Sequence, residues 1–257
     1  MFSIDEGKLM FGAAINFNNI CWVYPLKINE IIGMGQKDYN DYLSFLALDI
    51  RDIQKEMKKV GISEDEMPNS SFDYLMLQAM ASVSFKDSNG TFLLKLQKAF
   101  STFIREKVHF SFEEQLILIG DDLSIENRRF LNKDNFEDFQ NIIRAQNQLP
   151  IPEPIPENES PMARKFRLRR EQVAEAKRKQ AAKNGEAISL MDSISTLICL
   201  NVGVTHENVG NLTMYQFKDI LTRAQAKYKY DLDIRMIAAG ADPKKIKPKH
   251  WFGKLDI

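Results

Sequence analysis

The sequence predicts a mostly α protein with a small β component: an α+β N-terminal domain, a proline-rich linker, a basic helix and a small all-α C-terminal domain. Three observations carry this. Apolar residues recur at helical spacing through most of the 257 residues. Stretches near residues 11–24 and 115–131 have strand and turn chemistry instead. Prolines at 150, 152, 154, 156 and 161 break both periods. The predicted boundaries are 1–148, 149–162, 163–184 and 185–257.

In chain order, Phe11–Phe17 and Ile20–Tyr24 read as strands around an Asn18-Asn19 turn, and Pro25 ends the pair. Ile28, Ile31 and Ile32 mark a short helix that stops near Gly33 or Gly35. Asp38 then opens a helix in which Tyr39, Tyr42, Leu43, Leu46, Ile50, Ile53, Met57 and Val60 share one face, with Gly61 as its C-terminal stop. Ser71 and Thr91 precede two further helices, one with Phe72, Leu75, Met76 and Ala79, the other with Phe92, Leu96, Phe100 and Phe103. Gln115–Ile119 is an apolar run, Gly120-Asp121-Asp122 is a turn, and Leu123–Leu131 returns as a strand. Asp134 opens a helix with Phe136, Phe139, Ile142 and Ile143 inward.

Leu149–Pro161 reads as a semi-extended spacer, with cleavage expected at flanking sites such as Arg144 or Arg164. Nine cations lie in Ala163–Lys183 against Glu171 and Glu175. That helix is a spacer, a contact for an acidic partner through Arg169, Arg170, Lys177, Arg178 and Lys179, or a nucleic-acid contact. Asn184-Gly185 stops it. A helix over Ala187–Leu200 follows, with Leu190, Met191, Ile194, Leu197 and Ile198 on its apolar face. Thr213 and Gln216 have capping-box spacing ahead of a last helix that runs towards Gly240, and Trp251 and Phe252 are expected to pack back on this unit.

Lys+Arg and Asp+Glu are both 35, so no global field for nucleic acid or anionic membrane is expected. Asp5 and Glu6 stand where a signal peptide needs basic residues, and no apolar run approaches a membrane span; the expected location is a reducing cytoplasm. Cys21 and Cys199 lie in apolar runs and are expected to be buried and inert. His109, His206 and His250 have no metal-ligand spacing, and Gly33-Met34-Gly35 lacks the rest of a dinucleotide fingerprint. The residues imply no metal, no cofactor and no enzyme.

Several phrases resemble proteins of bacteriophage tail modules from Gram-positive hosts. These are Trp22–Ile32 followed by Gly33, Tyr39 and Tyr42-Leu43; Asn135–Asn147, an "F..F..II..QN" pattern; and Leu212–Phe217, Tyr230–Ile234, Ala238–Asp242 and His250-Trp251 near the end. The resemblance implies a tail assembly chaperone that binds the tape measure protein in the host cytoplasm, or a tail component retained in the virion; a nucleic-acid adaptor is the third alternative. A chaperone for a long helical client needs an apolar groove, for which Phe72, Met76, Met80, Phe100 and Phe103 are the candidates.

Overall fold

The computed structural model describes residues 2–84, 91–122, 124–152, 159–183, 189–200 and 202–252. It is mostly α with two small antiparallel sheets. The chain divides into two compact units, Met1–Ile151 with Glu207–Ile220, and Pro152–His206 with Leu221–Ile257.

The first unit opens with a short helix, α1 (Glu6–Met10), capped by the Asp5 carboxylate accepting from the Gly7 N–H at 2.8 Å. Gly12, at φ +65°, then turns the chain, so the first strand is shorter than the apolar run implies. β1 (Ile15–Phe17) pairs with β2 (Cys21–Val23). Between them Asn18 and Asn19 both adopt left-handed backbone, φ 49° and 58°. Asparagine is the side chain that best tolerates this after glycine, and Asn16 Oδ1 fixes the turn by accepting from the Asn19 N–H.

Next come α2 (Ile28–Met34), α3 (Gln36–Leu46), α4 (Ile50–Lys59), α5 (Ser71–Ser84) and α6 (Thr91–Ile104). The sheet β3 (Val108–Ser111), β4 (Leu116–Ile119) and β5 (Arg129–Leu131) has that spatial order, and α7 (Phe136–Gln146) follows. The return strand expected over Leu123–Leu131 is confined to its last residues. Leu123 lies outside the described residues, and a 3-10 turn occupies Ile125–Asn127.

The single long helix expected from Tyr39 to Val60 is two helices. α3 ends at Leu46, and Asp49 starts α4 by accepting from the Arg51 N–H at 3.0 Å. The break frees the Ala47 and Leu48 carbonyls, and the polar side of α7 claims them. The Leu48 oxygen accepts from Arg144 Nη2 at 2.7 Å, Ser71 Oγ at 3.1 Å and Gln140 Nε2 at 3.3 Å. A buried carbonyl with partners costs little, whereas one without them costs about 1–3 kcal/mol.

α7 therefore has two jobs. Phe136, Phe139, Ile142 and Ile143 fill the core with Phe17, Phe100 and Phe103. Residues 144–148 bind backbone and side-chain groups of distant elements. Gln146 Nε2 donates to the Val23 carbonyl, the Tyr39 hydroxyl donates to Asn147 Oδ1 at 2.6 Å, and Lys218 Nζ donates to the Asn147 carbonyl at 2.8 Å.

Lys218 belongs to Glu207–Ile220, which docks along α2. The Ile28 N–H donates to the Leu212 carbonyl at 2.9 Å and the Met214 N–H to the Leu26 carbonyl at 3.1 Å, a short antiparallel bridge between Lys27 and Thr213. Gly210 packs so closely on Asn29 that a Cβ there would collide with its side chain.

In the second unit, α8 (Pro161–Lys183) starts two residues before Ala163. Ser160 Oγ accepts from the Ala163 N–H, and Pro161 occupies the first helical position, where its missing N–H costs nothing. The expected extended spacer falls largely at residues 153–158, outside the described residues; Pro150 and Ile151 before it are exposed. α9 (Leu190–Cys199) begins at a Ser189–Asp192 capping box, with Ile194 and Leu197 buried. Met191, expected on that face, is exposed.

α10 (Met214–Ala238) begins at the predicted capping box: the Thr213 N–H donates to Gln216 Oε1 and the Gln216 N–H to Thr213 Oγ1. It closes at Gly240, φ +99°, where the Ala241 N–H reaches the Met236 carbonyl. α11 (Pro243–Ile246) follows. Trp251 lies under the Lys227 ammonium, 5.8 Å from its ring centre. Phe252 does not pack inward as expected; it is 67% exposed and touches His250, whose ring sits 5.2 Å from Tyr230.

Candidate functional site

An apolar opening of the first unit lies along α5. The Ser70 hydroxyl starts this helix by accepting from the Asp73 N–H at 3.0 Å. Phe72, Leu75 and Ala79 face the core, while Leu77, Met80 and Val83 stay half exposed at three-residue spacing. A helix with apolar residues on both sides has more than its own core requires. The groove that results is lined by Phe72, Met76, Leu77 and Met80 of α5 and by Phe112 and Gln115 of the β3–β4 turn, and encloses about 230 Å³.

The walls are rigidly backed. Phe72 meets Phe136 edge-on at 5.5 Å, Phe136 is 6.2 Å from Phe100, Phe100 is 6.0 Å from Phe110, and Phe110 is 6.4 Å from Phe112. One run of aromatic rings thus passes from one wall of the groove through the core to the other. Such contacts add about 0.5–1.5 kcal/mol per pair beyond burial. Asp73, which also lines the groove, pairs with Lys133 at 2.6 Å, and Glu114 of the β3–β4 turn pairs with Arg128 at 2.6 Å.

A second, polar recess of about 420 Å³ is bounded by Arg105, Glu106, Lys107, Gly120 and Asp121. Its charges are committed to one another and to neighbours. Arg105 bridges to Glu30 at 2.8 Å and lies over the Tyr24 ring at 4.5 Å, Lys107 pairs with Asp121 at 2.7 Å, and Arg129 pairs with Glu106. Each charged side chain that lines it is thus paired with one of opposite sign.

Among the candidates named from sequence, Phe72, Met76 and Met80 come together in the groove. Phe100 and Phe103 are fully buried; Phe100 supports the groove from behind and Phe103 packs within the core. Leu77, Phe112 and Gln115 were not among them. The signal for Leu77 was its spacing to Met80 and Val83; Phe112 and Gln115 reach the groove only through the hairpin turn, where Gln115 takes φ 52°. Arg169 and Arg170 are exposed on α8. Lys177, Arg178 and Lys179 lie further along it, with side chains outside the described set.

Burial pushes the Cys21 thiol up to about 12, with Glu106 adding to the rise and Arg129 opposing it. Cys199, expected to be buried, is exposed at the end of α9. Burial raises Asp49, but the bonds and charge of Arg51 outweigh it and hold the carboxyl below its usual range. Burial lowers Arg144 and Lys218. His109 sits on edge strand β3 and His206 in a turn. Among the described residues, no cluster of His, Cys, Asp or Glu could hold a metal ion, and no helix is long and apolar enough to cross a membrane.

A family model described as YomV second domain matches residues 177–256, less than half of the chain. That family is phage-associated, and the match suggests a phage protein. The matched stretch covers the end of α8, all of α9 and α10, and none of the α5 groove. No curated protein and no solved structure matches the chain.

Proposed function

We propose that the protein is a non-enzymatic phage morphogenesis factor, a tail assembly chaperone that holds a helical segment of the tape measure protein in the α5 groove. The observation that carries this reading is the groove itself: a Met- and Phe-lined opening, backed by an aromatic core and half exposed at Leu77 and Met80. Met and Phe side chains adapt to varied apolar ligands, and an amphipathic helix presents apolar side chains at the spacing such a groove accepts. The phage-associated family match supports the phage part of this reading, and the tail-module resemblance supports the tail part.

Titration of tape measure fragments against wild type, Leu77→Ser/Met80→Ser and Lys177→Gln/Arg178→Gln/Lys179→Gln at two salt concentrations tests it. Binding is expected to survive moderate salt, to fall at least tenfold in the groove variant and to change little in the charge variant. Steep salt dependence with loss in the charge variant overturns the reading and favours an anion-binding α8. Mass spectrometry of purified virions separates a chaperone, absent from the particle, from a retained tail component.

A further inference from the structure

The same groove has a candidate occupant within this sequence. On α8, Met162 is 71% exposed, Phe166 62% and Val173 49%. At 3.6 residues per turn their spacing places all three within about 40° of arc on one side of the helix, over a length of roughly 16 Å. Lys165, Arg169 and Arg170 are exposed in the same segment, around that stripe. Singly exposed apolar residues are ordinary; a Met-Phe-Val stripe that stays exposed among the described residues on one face of a cationic helix is a contact surface.

Charge points to the counterpart. The balanced total hides a division at the linker. Residues 1–160 hold 25 acidic and 16 basic residues, net −9, and residues 161–257 hold 10 acidic and 19 basic, net +9. The α5 groove lies in the acidic part and α8 in the basic part. Its volume, about 230 Å³, exceeds the ~150 Å³ at which a dry apolar cavity takes up a benzene ring, so it has room for a phenylalanine side chain.

We propose that α8 of a second copy of this chain occupies the α5 groove, with the Phe166 ring inserted between Met76, Met80 and Phe112. The contact is heterologous, groove to helix, so it joins copies head to tail and leaves a free groove and a free α8 at the ends of each assembly. It rests on the groove being a helix-binding surface, as under the proposed function. A client that enters the groove competes with self-association.

Sedimentation velocity of the full chain over a concentration series, at low and high salt, is the test. Wild type is expected to associate with rising concentration, more weakly at high salt. Phe166→Ser, which keeps a groove, and Leu77→Ser/Met80→Ser, which keeps α8, are each expected to remain monomeric. Mixed in equal amounts, they are expected to form a dimer that grows no further, because one intact groove meets one intact helix. Wild type that stays monomeric at every concentration overturns the proposal. So does a silent mixture; so does a single variant that still self-associates, which would mean a like-with-like contact; and so does a monomer whose α8 instead binds duplex DNA with steep salt dependence. Client binding measured on the same samples separates the two readings. Self-association without client binding sinks the chaperone assignment alone, and client binding by a permanent monomer sinks the head-to-tail contact alone.

Discussion

The Arg144 guanidinium donates to the Leu48 carbonyl at 2.7 Å across 96 residues of sequence, and so holds open the break between α3 and α4. Arg144 is only 3% exposed, and Nη1 also reaches Asn141 Oδ1 at 2.8 Å. Hydrogen bonds from a charged donor contribute about 1.5–3 kcal/mol. Arg144→Met is therefore expected to destabilise the first unit by about 2–3 kcal/mol in urea unfolding. Arg144→Lys, which keeps the charge but loses the planar fork, is expected to recover only part of this.

Gly210 and Asn29 form a second long-range pair. A Cβ on residue 210 would meet the Asn29 side chain head-on. Gly210→Ala is expected to cost about 1–3 kcal/mol by overpacking and to loosen the Val209–Asn211 turn from α2. Asn29→Ala in the same chain is expected to restore most of that loss, because it removes the obstacle. A double-mutant cycle by thermal unfolding measures the coupling, and purely additive effects would contradict the geometry.

The two cysteines are expected to behave oppositely. A thiol reagent should modify one site per native chain, at Cys199, and two after denaturation; Cys199→Ser should abolish the native reaction. The sign at Cys21 follows from its pKa, raised from 9.0 to about 12. The unfolded chain loses that proton first, so the stability is fully present below pH 9 and is lost as pH rises towards 12. Cys21→Ala should show a shallower alkaline loss in pH-dependent unfolding.

Limited trypsin digestion is expected to cut α8 first, where Arg164, Lys165, Arg169 and Arg170 are exposed, and to spare Arg144 until the first unit unfolds. A first cut at Arg144, detected by mass spectrometry of the fragments, would contradict its burial.

Local features were the legible ones. The Thr213–Gln216 capping box, the Asn18-Asn19 turn and the Gly240 stop each depend on residues within a few positions of one another, and each is present as read. The α3–α4 break was hidden because helical periodicity runs straight through it. Asp49 as a cap is a weak signal alone, and the partners that claim the freed carbonyls come from α7. Cys199 and Met191 illustrate the same limit, since an apolar run says that residues prefer burial but not which of them find cover. Half of the groove was legible as a Phe-Met pattern on one helix. Phe112 entered it through strand pairing, for which a single sequence carries no register.

The docking of Glu207–Ile220 on α2 has a consequence for how the chain is made. The Ile28 N–H and the Leu26 carbonyl find their partners at Leu212 and Met214, so the first unit stays incomplete until the ribosome has passed residue 220. At about 5–20 residues per second, the nascent chain waits several seconds after residue 151 with that edge open. Synthesis order thus makes the α2 edge the last part of the first unit to close, and the part most open to a trapping factor while translation continues.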